Sequence, residues 1–149
     1  MGSSEREAQP VKVLLDTNVI LDFALERQLF LQDSEQILQL AEQGQIEGFV
    51  SASTMSDLYY IIRKQNGRDW AFEFLRRLVT ICQVAAVDQS VIAMALASDM
   101  QDFEDAIQYN TAIINQLEAI ATRNKQDFPA DRIQIFTPTE LIQRFPLSS

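Results

Sequence analysis

Short apolar runs that suit β-strands alternate along the chain with longer segments of helical periodicity, and this alternation most strongly limits the possible folds. Strands are predicted at residues 11–15, 48–53, 80–87, 119–122 and 133–136. Helices fill most of the intervals, in the order β-α-α-β-α-α-β-α-α-β-β-α. Strands separated by helices favour a parallel sheet covered on both faces. The sequence therefore predicts an α/β fold with a mostly parallel central sheet of four or five strands.

Several residues mark where the helices begin and end. Asp33 or Ser34 is predicted to cap the helix over residues 33–43, and Gly44 is predicted to stop it. Ser53 is the predicted cap of the helix after the second strand. The last helix carries a complete set of start signals: Thr137 as cap, Pro138 at the first helical position and Glu140 as the capping-box partner.

The length of 149 residues suits one domain with a buried core. We predict a domain over residues 11–145, preceded by a polar segment, residues 1–10, that is either native or an expression remnant. Residues 146–149 are a short tail. No apolar run approaches the ~18 residues needed to cross a membrane, and the first ten residues lack the apolar core of a signal peptide. The single cysteine, Cys82, lies in an apolar stretch and is predicted to be buried; one cysteine fits a reducing cytoplasm.

Composition excludes several kinds of catalytic site. The chain has no histidine, which removes Ser-His-Asp and Cys-His arrangements and the usual zinc sites. The net charge is −9, whereas domains that bind nucleic acid by charge alone are usually basic. An acidic protein can still be a nuclease if divalent cations neutralise its site. It also suits a basic protein partner.

Five aspartates, at four positions along the chain, can meet at the edge formed by the carboxyl ends of the strands, where sites gather in parallel α/β folds. Asp16 directly follows the first strand, Asp57 lies a turn into the helix after the second, and Asp127 follows the fourth. Asp102 and Asp105 open the helix over residues 102–115. Each acid alone has an ordinary explanation, since acids at helix starts favour the helix dipole. Asp16 is the exception, because a carboxylate closing a buried strand needs a compensating partner.

Together these carboxylates suggest a hard metal ion. Several converging carboxylates repel one another unless a cation with oxygen ligands lies between them. Mg²⁺ and Mn²⁺ prefer one or two carboxylates, several waters and phosphate oxygens from a substrate. Such an ion lowers the pKa of a bound water and stabilises a charged transition state, and this chemistry needs no histidine.

The sequence resembles the PIN-domain family, metal-dependent ribonucleases that include many toxins of bacterial toxin–antitoxin pairs. The resemblance spans residues 11–145 and rests on four ordered blocks: "LLDTNVILD", "SASTMSDLYYII", "DFEDAIQYNTA" and "IATRNKQDF". It implies a three-layer α/β/α sandwich. Asp16 matches the family's first metal-binding acid, Thr17 and Asn18 the polar pair that orients it, Asp105 the third acid and Thr122 the hydroxyl after the late strand.

Two positions depart from the family pattern. The family usually has glutamate where this chain has Asp57, and the shorter side chain could bind a metal only through water. The family's late acid corresponds here to Asn124, and Asp127, three residues on, either substitutes for it or caps a turn before Pro129. Asp102 lies on the same helix face as Asp105 and is a further candidate ligand. The proposed site therefore keeps its negative charge with an altered set of acids.

The resemblance implies a cytoplasmic endoribonuclease that uses Mg²⁺ or Mn²⁺, with RNA as substrate, a basic-tailed antitoxin as partner and a homodimer as the assembly. Arg123 and Lys125 are the predicted contacts to RNA phosphate. One alternative is a PIN-like domain with weak or no cleavage that binds RNA or protein. Another is a phosphoryl-transfer domain of the receiver or haloacid-phosphatase type, which also places an aspartate at a strand end. The receiver's early acidic pair and the phosphatase's second aspartate are both missing.

Overall fold

The computed structural model describes residues 9–147, which fold in the predicted order of strands and helices. The strands are β1 (Val11–Leu15), β2 (Ile46–Ser51), β3 (Gln83–Ala85), β4 (Ala119–Ala121) and β5 (Gln134–Phe136). The helices are α1 (Thr17–Ala24), α2 (Leu31–Glu42), α3 (Ala52–Asn66), α4 (Arg68–Ile81), α5 (Gln89–Ala97), α6 (Phe103–Ile114) and α7 (Pro138–Arg144). A short 3-10 turn over Lys125–Asp127 was not predicted. Most of the predicted terminal segments, residues 1–8 and 148–149, lie outside the described residues, so the domain division stays a prediction.

The described strands form one parallel sheet in the order β3-β2-β1-β4-β5. At its centre Leu14 of β1 pairs with Phe49 of β2 on one side and Ile120 of β4 on the other. The chain moves outward from β1 through β2 to β3, and then returns to the far side of β1 for β4. This switch opens a crevice beyond the carboxyl ends of β1 and β4. The predicted α/β fold is confirmed, with Asp16 and Thr122 at that edge.

Both faces of the sheet are covered, because successive residues of β1 point to opposite sides. Leu15 packs in a core with Leu58 of α3, while Leu14 packs on the other face with Tyr109 of α6. The result is the expected three-layer sandwich. Cys82 is 3% exposed in the first of these cores, as predicted, and burial raises the pKa of its thiol to about 12. None of the described helices is both long and apolar enough to span a membrane.

The signals at the start of α7 and the end of α2 are confirmed. The Thr137 hydroxyl accepts a hydrogen bond from the backbone N–H of Glu140 at 3.2 Å, and the Glu140 carboxylate accepts one from the backbone N–H of Thr137 at 3.0 Å. Pro138 occupies the first turn. Gly44 follows α2 with φ +78, a conformation that residues with a Cβ rarely adopt.

The predicted start of α2 is wrong. The helix begins at Leu31 and its N-cap position is held by Phe30, so neither Asp33 nor Ser34 caps it. The Asp33 carboxylate instead accepts a hydrogen bond from the hydroxyl of Thr139 on α7 at 3.0 Å. The Asp33 side chain, which the local sequence pattern predicts as a helix cap, therefore makes a tertiary contact to α7 instead.

The predicted boundary between β2 and α3 is also wrong. Ser51 is the last residue of β2 and at the same time the N-cap of α3, and its hydroxyl accepts a hydrogen bond from the backbone N–H of Ser53 at 3.2 Å. The strand passes into the helix without a loop. Because the helix begins at Ala52, the buried Thr54 lies in its first turn, in contact with Thr17 at the start of α1.

Candidate active site

A pocket of about 610 Å³ lies at the carboxyl edge of the sheet, between the start of α1, α3 and α6. Its walls include Asp16 after β1, Asp105 on α6 and Asp57 on α3. It also brings in residues of the turn after β4. The predicted site residues along its wall are Asp16, Thr17, Asn18, Asp57, Asp105, Asn124 and Asp127. Asp102, Thr122, Arg123 and Lys125 lie outside this wall.

Asp16 is held by side chains from two other elements. It occupies the N-cap position of α1, but its carboxylate makes no capping hydrogen bond. Oδ2 accepts a hydrogen bond from the hydroxyl of Thr122 at 2.8 Å, and Oδ1 accepts one from Nε2 of Gln108 at 2.7 Å. Burial raises the pKa of Asp16, and the Thr122 hydrogen bond opposes this shift. The cost of burying the Asp16 carboxylate is therefore offset first by hydrogen bonds, which hold the carboxylate in the wall of the pocket.

Gln108 is a site residue that the sequence reasoning missed. It lies on α6 and is 5% exposed. Its side-chain amide also approaches the Thr17 hydroxyl at 3.5 Å, and its Oε1 is buried without a hydrogen-bond partner. The signal was available, because position 108 lies one helical turn after Asp105 and so shares its face. What the sequence could not supply was the partner, Asp16, which is 92 residues away.

Asp102 and Asp105 divide two roles at the start of α6. Asp102 is the N-cap, and its Oδ1 accepts a hydrogen bond from the backbone N–H of Asp105 at 2.9 Å. Asp105 faces the pocket, and its pKa is raised to about 6, first by burial and then by the negative charges of Asp102, Asp16 and Asp127. The site thus carries more negative charge than its surroundings neutralise.

Asp57, on α3, and Asp127, in the turn after β4, are exposed acids that line the pocket. Asp127 reaches the pocket because the chain turns immediately after Asn124: the backbone N–H of Asp127 donates to the carbonyl of Asn124 at 2.9 Å. The Asn124 N–H in turn donates to the Thr122 hydroxyl at 3.0 Å. This tight turn lets an acid three residues after Asn124 line the same pocket.

A contact between two hydroxyl groups joins α1 and α3 at the pocket. The hydroxyls of Thr17 on α1 and Thr54 on α3 lie 3.0 Å apart, and Thr54 is 2% exposed. This contact fixes the start of α1 against α3, on which Asp57 is carried. Thr54 had not been singled out, because a threonine early in a helix is ordinary in sequence.

A family model described as PIN domain matches residues 12–126. The chain belongs to the PIN-domain family. Ribonuclease VapC1 of Aquifex aeolicus (strain VF5) is 24% identical over 139 residues, which cover 90% of this chain and 95% of that relative. VapBC2 from Rickettsia felis, solved bound to a promoter DNA fragment, matches with a TM-score of 0.66 and 11% identity over 85% of this chain and 98% of its own. A toxin–antitoxin complex from Klebsiella pneumoniae matches with a TM-score of 0.65 and 23% identity, over 85% of this chain and 97% of the matched chain. These structures share the fold.

The acidic pocket is lined by carboxylate and amide oxygens, the ligand atoms that suit Mg²⁺ or Mn²⁺. In the part of the chain that the structure describes, no three acidic side chains are grouped closely enough to hold a metal ion among themselves. A magnesium ion does not require that, since it usually binds one or two carboxylates and retains waters. The raised pKa of Asp105 and the unpartnered Oε1 of Gln108 are the observations that fit a cation with its waters in this pocket.

Arg123, predicted to contact phosphate, is instead paired inside the protein. Its Nε lies 2.7 Å from Oδ2 of Asp22 and its Nη2 lies 3.2 Å from Oδ1. Its guanidinium stacks 3.9 Å from the ring centroid of Phe30. The Asp22 side chain is 1% exposed and is also paired with Arg27 at 3.2 Å. Asp22, the last letter of the "LLDTNVILD" block, therefore ties α1 to the turn that carries Thr122.

Lys125 is paired as well. Its Nζ lies 3.0 Å and 3.1 Å from the two carboxylate oxygens of Glu140. The hydrogen bond from the backbone N–H of Thr137, followed by this contact, lowers the pKa of Glu140. Neither Arg123 nor Lys125 lines the acidic pocket. Their predicted phosphate contacts have no support in these ion pairs and stay a prediction.

Proposed function

We propose that this PIN-domain protein is an endoribonuclease that uses Mg²⁺ or Mn²⁺ to hydrolyse RNA phosphodiester bonds. The carrying observation is the acidic pocket at the sheet edge, where neighbouring negative charges help to raise the pKa of Asp105 to about 6. Support comes from the relative named Ribonuclease VapC1. The biological role that fits best is the toxin of a toxin–antitoxin pair, since structures of the same fold were solved as such complexes.

Each acid would have its own part in such a site. Asp16 and Asp105 would hold the metal ion directly, and Asp57 and Asp127, which are exposed, would hold it through water or in a complex with RNA. When bound, the ion lowers the pKa of a water molecule and stabilises negative charge on the phosphate. Hydrogen bonds from Gln108 and Thr122 hold the Asp16 carboxylate in one orientation. The carboxylate therefore would not have to reorient when the metal ion binds.

A second candidate function is an RNA-binding or protein-interaction module with weak or no cleavage. The observations that favour it are Asp57, which is exposed and shorter than the glutamate of the family, and Asn124, which has no charge. In that case Asp57→Glu should restore metal affinity or activity. An Asp57→Glu protein that behaves as the wild type would count against a function lost through that position.

Two partners accompany the proposed toxin role. An antitoxin with a basic tail would be attracted by the net charge of −9 and by the acidic pocket. A second copy of the chain would form the homodimer that the resemblance implies. Coexpression with a short, basic-tailed protein encoded beside it should suppress cleavage and give a complex that survives gel filtration.

The direct test is cleavage of single-stranded RNA of mixed sequence, with and without Mn²⁺. The wild type should cleave only with the metal, and Asp16→Asn should abolish cleavage. Asp69→Asn is the matched control, because it removes one negative charge from a side chain that is 97% exposed on α4. Equal metal-dependent cleavage by wild type and a pure Asp16→Asn protein would overturn the proposed active site.

A further inference from the structure

The wall of the acidic pocket offers RNA no positive charge. Among the described residues that line it are five acids and no lysine or arginine. The two basic side chains nearest in sequence, Arg123 and Lys125, are taken up by Asp22 and Glu140. Arg63 and Lys64 follow Tyr60 by one turn on α3 but do not line the pocket, so within its wall the nucleotide would be held by groups other than cations.

Two aromatic side chains line the same pocket and remain exposed. Phe103, the first residue of α6, is 47% exposed, and Tyr60 on α3 is 63% exposed. The Tyr60 ring packs against Tyr59, with centroids 5.4 Å apart, which supports it from one side. Single exposed apolar residues are common on protein surfaces. These two differ in position, because they come from separate helices and border a pocket that is otherwise rich in carboxylates.

Aromatic rings bind nucleobases without using charge. A base stacked on an aromatic side chain gains affinity through its π face, and every base has one. In a duplex both faces of each base are covered by neighbouring pairs, so only an unpaired or flipped-out base can stack on a protein ring. A cation in the carboxylate pocket would attract the phosphate, while the rings at the wall would hold the base.

We propose that Phe103 and Tyr60 form a stacking platform that holds an unpaired nucleobase of the RNA at the candidate active site. This inference rests on the proposed function and adds the side chains that hold the substrate, so that the RNA is recognised by its bases more than by its backbone charge. The platform explains how a protein with a net charge of −9 binds a polyanion.

The experiment uses a short single-stranded RNA that carries 2-aminopurine, whose fluorescence falls when it stacks. Binding to the full-length wild type in Mn²⁺ is recorded by stopped flow, so that it is read before cleavage. Quenching is expected with the wild type. Phe103→Ala and Tyr60→Ala should each weaken binding about 5- to 150-fold, the equivalent of about 1–3 kcal/mol.

Matched variants separate stacking from mere apolar contact. Phe103→Trp keeps an aromatic face and should bind as the wild type does. Phe103→Leu keeps apolar area without a π face and should be weakened as Phe103→Ala is. The logarithm of the binding constant should fall with the logarithm of salt concentration with a slope smaller than about 2, since few phosphates contact cations of the protein. The same oligonucleotide in a duplex should show no quenching.

Three results would overturn the platform: unchanged binding by both alanine variants, wild-type binding by Phe103→Leu, or rings buried between two copies. The last is read by analytical ultracentrifugation, as a wild-type dimer that the alanine variants lose. Failure of the proposed function looks different. A wild type that quenches 2-aminopurine but never cleaves RNA refutes the nuclease and keeps the platform. A wild type that cleaves, with alanine variants that bind equally well, refutes only the platform.

Discussion

Replacing Arg123 with methionine should lower the free energy of unfolding by about 2–4 kcal/mol. The Asp22 side chain is 1% exposed, and Arg123 supplies two of its ion-pair contacts, at 2.7 Å and 3.2 Å. Removing one partner of a buried pair typically costs about 3–5 kcal/mol, because the other charge stays buried. The remaining contact from Arg27, at 3.2 Å, lowers that expectation. Methionine keeps most of the apolar stem but loses the guanidinium that lies over the Phe30 ring.

The assay is urea unfolding of the metal-free protein at neutral pH. Arg27→Met is the matched control: it removes one contact to the same carboxylate, from a side chain that is 36% exposed, and should cost at most about 1 kcal/mol. Adding Asp22→Asn to Arg123→Met should recover part of the loss, with a coupling of about 1–3 kcal/mol. An Arg123→Met protein as stable as the wild type would refute the internal role, and would return Arg123 to the predicted phosphate contact.

Three further predictions follow from the site and the core. The raised pKa of Asp105 means that its negative charge opposes folding, so the metal-free wild type should lose stability as pH rises from about 4 through about 6. Asp105→Asn should remove this loss. It should raise Tm at pH 7 by about 2–4 °C, which corresponds to about 1 kcal/mol after solvent screening. Gln108→Met should weaken Mn²⁺ binding about 10- to 100-fold in calorimetry, since it removes the donor to Asp16; unchanged affinity would contradict this. Gly48→Ala should cost about 1–3 kcal/mol in thermal unfolding, because its Cβ would lie 3.0 Å from the Cys82 sulfur, and adding Cys82→Ala should recover part of it.

The order of elements could be predicted because most strands are short apolar runs separated from the next strand by helical segments. β1 coincides with its predicted range, since its five residues end at Leu15, directly before the charged Asp16. The start of α2 could not be predicted from local signals, because Asp33 is used by Thr139, 106 residues away. Local pattern locates elements well and fails where a side chain is claimed by a distant part of the chain.

The same contrast holds within the candidate site. The acids could be proposed as site residues because their positions at strand ends and helix starts are visible in the sequence, and Asp16, Asp57, Asp105 and Asp127 all line the pocket. Gln108 was missed, because its significance lies in a tertiary hydrogen bond. The sequence places Arg123 beside Asn124 but does not reveal its ion pair with Asp22, which precedes it by 101 residues. Charge in a sequence reveals little about which opposite charge it meets.

The measurement that most directly tests the central claim is calorimetric titration of Mn²⁺ into the wild type, Asp16→Asn and the control Asp69→Asn at near-physiological salt. The account predicts binding to the wild type and to Asp69→Asn, and none to Asp16→Asn. Equal binding to all three proteins would contradict it, because the carboxylate at the end of β1 would then have no part in holding the cation.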